Sequence, residues 1–241
     1  MRDTRRTDFA EAMKNPATFR HRSAAIGLLT GAVLSTISVI TAPEFPTGFQ
    51  ERLAAINAAG AVSSLAFTLA QLPLLVGVLG IGHLLRGGAP ILSNVGTSLA
   101  VIGAFGHSVV GGLSMAYLAM AADEQNRSAH AALMEGIESG PVRLFMAMGL
   151  LGTVVGVLLL AIGLWRAQVP PRWAAAFLGA FLLVAFAGSA LSDQAELVSL
   201  VFYLPAFTAL AVTLWRSPTE AWRSGTDAGA PMRAVAAEAV R

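Results

Sequence analysis

Six stretches of this chain are long and apolar enough to cross a lipid bilayer, and they constrain the fold more than any other feature. A helix needs about 20 apolar residues to span the roughly 30 Å of hydrocarbon. The stretches are 23–42, 60–85, 91–121, 142–165, 173–191 and 197–215. Because backbone surrounded by lipid must satisfy its own hydrogen bonds, they predict an all-α, polytopic transmembrane bundle of six spans.

Composition supports a membrane protein over a soluble one. Hydrophobic residues make up 55% of the chain and charged residues only 12%, whereas soluble domains carry about 25% charged residues. Glycine and proline within 86–90 separate the second span from the third, and two prolines within 168–171 separate the fourth from the fifth. A continuous helix would not tolerate these residues. The first apolar stretch is longer than the roughly 7–15-residue core of a signal peptide, which indicates a retained helix.

The distribution of basic residues predicts the orientation. All but three of the 16 Lys and Arg residues lie in segments on the same side as the N terminus, the exceptions being Arg52, Arg127 and Arg143. Cytoplasmic loops are enriched in Lys and Arg, so we expect six spans with both termini in the cytoplasm (N-in/C-in). Arginine-rich, lysine-poor composition suggests a bacterial protein, which would place it in the inner (plasma) membrane.

These features divide the chain into three parts. Residues 1–22 are predicted to form a basic cytoplasmic arm whose arginines favour anionic lipid headgroups. Residues 23–216 form the six-helix transmembrane domain, and 217–241, rich in Ala, Gly and charge, are predicted to be a disordered cytoplasmic tail. A repeated Val-Gly-Val-Leu, at 76–79 and 155–158, is compatible with three related hairpins, although such short apolar matches also arise by chance.

Local patterns predict further structure within and between the spans. Apolar residues recur at helical spacing in the loops 43–59 and 124–138, which predicts two amphipathic helices on the outer interface. The glycine pairs Gly27/Gly31 and Gly152/Gly156 are spaced for close backbone contact between helices.

His107 is the first candidate site residue because it lies near the middle of the third span. An ionisable side chain at that depth is costly and by default suggests function. Gln71, in the antiparallel second span and close to Pro73, is its expected neighbour at similar depth. The two residues could form a ligand or proton pocket between the second and third spans, or a purely structural hydrogen bond between helices.

A weaker candidate is an acidic cluster on the outer face. Asp123, Glu124, Asp193 and Glu196 all emerge on that side and could gather around a divalent cation or a cationic ligand. Their spacing matches no fixed ligand pattern, so ordinary solvated loop charges are the competing interpretation.

The sequence leaves the function open among three classes. It has no cysteine, no metal-binding or cofactor-binding motif, no catalytic signature and no basic, aromatic surface suited to nucleic acid. We therefore expect no cofactor and favour a non-enzymatic accessory or small-ligand-binding membrane subunit, with a membrane-protein partner or homo-oligomer besides the lipid bilayer. The alternatives are a small-molecule or proton-linked transporter or channel using the Gln71–His107 pocket, and an intramembrane enzyme acting on a lipid or isoprenoid with the outer carboxylates as acids.

Overall fold

The computed structural model of the 241-residue chain describes residues 15–43, 46, 48–192 and 194–222. Six of its helices are long and apolar enough to cross a membrane, which confirms the predicted number of spans. The α-helices are α1 (Pro16–Thr41), α2 (Phe49–Ala55), α3 (Ala58–Leu85), α4 (Pro90–Ala122), α5 (Arg127–Ser139), α6 (Val142–Arg166), α7 (Arg172–Leu182) and α8 (Ala195–Arg216). Helices α1, α3, α4, α6 and α8 are spans, and α7 forms the first part of the fifth span, Arg172–Ala190.

The first helix extends beyond its predicted start at residue 23. It begins at Pro16, and the Asn15 side chain caps it by accepting a hydrogen bond from the backbone N–H of Ala17 at 3.1 Å. Proline is favoured in the first turn of a helix, where its missing N–H is not needed. Part of the predicted basic arm is therefore helical, and residues 1–14 lie outside the described residues.

The six spans form a ring in chain order. Each one packs against the spans before and after it, and α8 packs against α1 to close the ring. Helix α3 also touches α6 and α8 across the ring. Since there are six spans, Pro16 and Arg216 lie at the same end of the bundle, which we call the terminal end; the opposite end is the cap end.

Glycines allow the closest helix contacts in the ring. A Cβ atom on Gly152 of α6 would lie 2.6 Å from the backbone N of Gly103 in α4, and one on Gly27 of α1 would lie 2.6 Å from the carbonyl oxygen of Pro73 in α3. The close contacts predicted for Gly27 and Gly152 are thus present, and they hold α1 against α3 and α4 against α6. Dispersion between closely packed backbones stabilises such pairs in lipid, where burial alone provides no driving force.

Buried residues occur in only the first half of the fifth span. Its buried residues, Ala174, Ala175, Leu178 and Leu182, all lie in α7. The chain then continues as a π-helix (Leu183–Ala187) and a 3-10 helix (Gly188–Ala190), and neither segment contains a buried residue. The fifth span is therefore more exposed towards the cap end, where it still contacts α8.

The cap end carries two short helices, α2 and α5, in the loops where amphipathic helices were predicted. They pack against each other and against α4, with Leu53, Tyr117, Ala131 and Met134 as a small buried cluster. The apolar residues Ala129, Ala132 and Leu133 lie on the exposed side of α5. An exposed apolar face on a helix beside the bundle is suited to the lipid interface.

The segment after α8 is ordered as far as the structure describes it. Thr219–Trp222 form a 3-10 helix that packs against α1, and Trp222 is buried. The predicted tail from residue 217 therefore begins with a folded turn, and residues 223–241 lie outside the described residues.

Candidate functional site

His107 lies on the inward face of α4, at a junction of three helices. Ala100, Gly103 and Gly111, which share its face, are buried, whereas Phe105 on the opposite face is 54% exposed. The His107 ring meets the ring of Phe67 in α3 edge-on, with the centroids 5.4 Å apart. The half-buried imidazole therefore lies between α3 and α6.

The third wall of this junction is Gly149 of α6. A Cβ atom on Gly149 would lie 3.2 Å from Nδ1 of His107, so the absence of a side chain there makes room for the imidazole. Among the described residues, His107 is half-buried and neither of its ring nitrogens forms a hydrogen bond. A neutral imidazole carries one N–H donor and one acceptor nitrogen, so this group has unused hydrogen-bonding capacity.

Gln71 lies close to this junction without bonding to His107 in the described part of the chain. Its Nε2 donates to the carbonyl oxygen of Phe67, one turn earlier in α3, at 2.9 Å. Phe67 is the residue whose ring contacts His107. The two predicted site residues therefore both contact Phe67, Gln71 through the backbone carbonyl and His107 through the ring. A shared role for them stays a prediction.

The depth of the junction follows from its distance to the cap cluster. His107 lies ten residues before Tyr117, which belongs to the cap cluster, so the two are separated by about 15 Å along the helix axis. This places the imidazole below the cap, at the depth of the hydrocarbon.

The predicted acidic residues occupy separate places in the described structure. Asp123 ends α4, Glu124 pairs with Arg127 at 3.5 Å, and Glu196 lies in the first turn of α8. No ion pair or hydrogen bond among the described residues joins Glu196 to the other two, and Asp193 lies outside the described residues. Among the described residues, no group of three or more His, Asp or Glu side chains is placed to hold a metal ion.

Asp123 nevertheless has a defined role at the start of α5. Its carboxylate accepts hydrogen bonds from the side chain of Asn126 at 2.9 Å and from Nε2 of His130 at 3.2 Å, and also from the backbone N–H of Asn126. The Asn126 side chain, followed by that of His130, lowers the pKa of Asp123 below its ordinary value. Because these bonds cap the turn that leads into α5, the charged carboxylate stabilises the cap.

Sequence reasoning missed two features that depend on residues distant along the chain. Arg52 and Glu138 form a paired hydrogen bond between α2 and α5. At the terminal end, the ring of Trp222 stacks on His83 with centroids 4.2 Å apart, and the carbonyl oxygen of Ala221 accepts from Nε2 of His83 at 3.0 Å. Nothing in the local pattern around any of these residues signals its partner.

His21, in α1, lies beside the same tryptophan. Its ring is 5% exposed, its centroid lies 5.9 Å from that of Trp222, and neither of its nitrogens has a hydrogen-bond partner of acceptable geometry among the described residues. The carbonyl oxygen of Leu214 is a neighbouring backbone acceptor, but that oxygen already accepts from the hydroxyl and the N–H of Ser217. His21 therefore contributes packing to the folded turn after α8.

Two classes of polar group therefore occur in the bundle. Hydroxyls such as Ser63 and Ser93 donate to backbone carbonyls of neighbouring helices, at 2.8 and 2.6 Å, and their bonding capacity is used in helix packing. His21 and His107 both lack a hydrogen bond among the described residues. His107 is the better candidate because it lies near the middle of its span, where three helices meet. Comparison with known proteins finds no family model, no curated protein and no solved structure that matches this chain.

Proposed function

We propose that this protein is a non-enzymatic membrane subunit that binds a small ligand at the junction of α3, α4 and α6. The observation that carries the proposal is the imidazole of His107, which is half-buried between α3 and α6 and has no hydrogen bond in the described part of the chain. Leaving a polar group unpaired in hydrocarbon is costly. A ligand with a hydroxyl, amide or carbonyl group would remove that cost when it binds.

The surroundings of His107 favour a mainly apolar ligand with one polar group. Phe67 provides an aromatic wall, Gly149 an open backbone surface, and Gln71 a buried amide one turn from Phe67. Binding sites for small molecules are typically apolar with a few placed polar groups. Such a ligand would reach the junction through the bilayer.

The experiment is native mass spectrometry of protein extracted from its own membrane, comparing wild type with His107→Leu. We expect the wild type to retain a small molecule and the variant to retain it less by on the order of tenfold. This change in affinity corresponds to the free energy of one or two hydrogen bonds. Ser108→Ala is the matched control, because Ser108 is exposed and its hydroxyl donates to Ala104 in its own helix at 2.8 Å. Equal retention in His107→Leu and wild type, or no retained molecule in either, would overturn the proposal.

A carrier using the same junction is the second candidate, and Pro73 favours it. Proline within α3 removes a backbone hydrogen bond beside Gln71, and interrupted membrane helices often line transport pathways. Under this alternative, His107→Ala abolishes the flux of a labelled solute in proteoliposomes while Ser108→Ala leaves it unchanged. Flux that survives His107→Ala excludes His107 from transport.

We also propose that the terminal end faces the cytoplasm and that the protein resides in the plasma membrane. The support is the excess of Lys and Arg in the segments at that end, as cytoplasmic loops require. Reporter fusions after residue 241 and within the loop 86–89 should both indicate the cytoplasm, and a fusion within 139–141 the opposite side. An external reporter at residue 241 would contradict this orientation.

A further inference from the structure

The terminal end carries a large excess of positive charge in the part of the chain that the structure describes. Its charged residues there are the arginines 20, 22, 86, 166, 172 and 216 and a single carboxylate, Glu220, which is exposed. None of these six arginines forms an ion pair with a described carboxylate. The charge at this end must therefore be balanced by something other than the described residues.

Two of these arginines, Arg20 and Arg86, lie near one histidine, His83. Helices α1 and α3 approach so closely at Ala24 and Gly80 that a Cβ atom on Gly80 would collide with that of Ala24. Arg20 lies one turn beyond Ala24 towards the terminal end, and His83 lies about one turn beyond Gly80. Arg20 and Arg86 are consequently both within electrostatic range of the His83 ring.

The folded turn after α8 fixes the position of that ring. Nε2 of His83 is bonded to the carbonyl oxygen of Ala221, and one face of the ring is stacked on buried Trp222, with an interplanar angle of 22°. The imidazole near the two exposed arginines is therefore held in a fixed position. Converging like charges repel, and the first turn of α1 contains no acidic residue to offset them.

The depth of this cluster identifies the kind of counter-ion. Trp165, Trp173 and Trp215 lie at the same end of the bundle and are 55%, 45% and 47% exposed. Tryptophan concentrates at the headgroup level of a bilayer, so the arginines at this end lie where lipid phosphates lie. Guanidinium groups bind phosphate oxygens through paired hydrogen bonds, which makes phosphate a fitting anion.

We propose that Arg20, His83 and Arg86 bind the phosphate of an anionic phospholipid in the leaflet at the terminal end. In this site the guanidinium groups of Arg20 and Arg86 bind the headgroup, and the ring of His83 lies beside it. The lipid tails then lie along the exposed apolar surface of α1 and α3, which includes Ile26 (53% exposed) and Leu79 (50% exposed). This site is separate from the His107 junction and does not depend on it.

The test reconstitutes the protein in nanodiscs of equal phosphatidylglycerol and phosphatidylcholine and counts the lipids that remain bound in native mass spectra. Wild type should retain phosphatidylglycerol over phosphatidylcholine, and Arg20→Gln/Arg86→Gln should lower that preference on the order of tenfold. Arg166→Gln/Arg172→Gln is the matched control, because it removes the same charge from the same end of the bundle, at the connection between α6 and α7. Thermal unfolding of all three proteins checks that they are folded.

The outcomes separate the proposal from its competitors. Loss of the preference in the Arg20/Arg86 variant alone supports the site. Equal loss in both double variants would mean that total charge, and not this cluster, selects the lipid, and would overturn the proposal. Displacement of the bound lipid by millimolar inorganic phosphate would identify a free-phosphate site and would overturn the assignment to lipid.

Discussion

Arg52 donates two hydrogen bonds, of 3.0 and 3.1 Å, to the two carboxylate oxygens of Glu138, which lies 86 residues later in the chain. The pair joins α2 to α5, and both side chains are largely withdrawn from solvent, at 24% and 14% exposure. A guanidinium and a carboxylate bonded in this paired way form one of the stronger polar contacts in proteins. The two loop helices at the cap end are therefore held together as one unit over α4.

We predict that Glu138→Gln loosens the cap without unfolding the bundle. A neutral amide cannot accept both guanidinium hydrogen bonds, and the loss of a charged hydrogen bond is worth about 1.5–3 kcal/mol. Hydrogen exchange of the backbone amides in 127–139 should accelerate by roughly ten- to a hundredfold. Glu135→Gln, at an exposed position of the same helix, should leave the exchange unchanged, and equal acceleration in both variants would contradict a role for the pair.

Two glycines of α4 offer a matched test of helix packing. A Cβ atom on Gly103 would lie 2.5 Å from the backbone N of Thr153 in α6, whereas one on Gly112 would have nothing within 4 Å. Gly103→Ala should destabilise the protein by about 1–3 kcal/mol, because the backbones must separate. Gly112→Ala should be neutral or stabilise it by up to about 1 kcal/mol, because alanine favours helix. Thermal unfolding in one detergent measures both, and the same melting temperature for the two variants would refute the close α4–α6 contact.

The start of α5 should be sensitive to acid. The hydrogen bonds from Asn126 and His130 lower the folded-state pKa of Asp123 below its ordinary 3.8. A group whose pKa falls on folding stabilises the folded state above its unfolded pKa, and that stabilisation is lost as the pH falls through the folded pKa. The NMR shift of the Asn126 amide, which donates to the Asp123 carboxylate at 3.3 Å, should therefore titrate below pH 3.8.

Substitutions distinguish the titration of Asp123 from that of other acidic groups. Asp123→Asn should remove the change at Asn126, and Glu124→Gln should retain it, since Glu124 pairs with Arg127 instead. A titration that persists in Asp123→Asn would show that another carboxylate governs the turn.

Trp222 should hold the segment after α8 against the bundle. It is 5% exposed, stacks on His83, and its Nε1 donates to the hydroxyl of Ser217 at 2.9 Å. We expect Trp222→Ala to release the turn, since truncating a buried tryptophan costs about 3–5 kcal/mol. Limited trypsin digestion should then cut faster after Arg216, with Glu220→Gln as the control at an exposed position of the same turn. An unchanged rate of cleavage in Trp222→Ala would contradict this anchoring role.

The spans were predictable because a helix surrounded by lipid requires a long apolar stretch in the sequence. Each apolar stretch must be a helix in lipid, whatever its neighbours are, and all six were identified. The ends were less predictable, as α1 shows by starting at Pro16. A helix can continue into the headgroup region once arginines such as Arg20 and Arg22 reach polar surroundings, so hydrophobicity does not mark where it begins.

The contacts between distant residues could not be predicted. Glycine spacing indicated that Gly27 and Gly152 face other helices, but it could not indicate that their partners are Pro73 and Gly103. For the candidate site, counting residues predicted similar depths for His107 and Gln71, whereas the contact between His107 and Phe67 depends on the rotation of both helices. A single sequence does not show how each helix is rotated about its own axis.

The order of the spans around the ring bears on how the chain assembles while it is being synthesised. Neighbours in the ring are also neighbours in sequence, so each new helix can dock on the one inserted just before it. The contact between α1 and α8 is the exception, because it needs the complete membrane domain. If synthesis stopped before α8, the first five spans would be packed, but α1 and α7 would lack the helix that lies between them. Insertion of α8 completes the ring by contacting both helices.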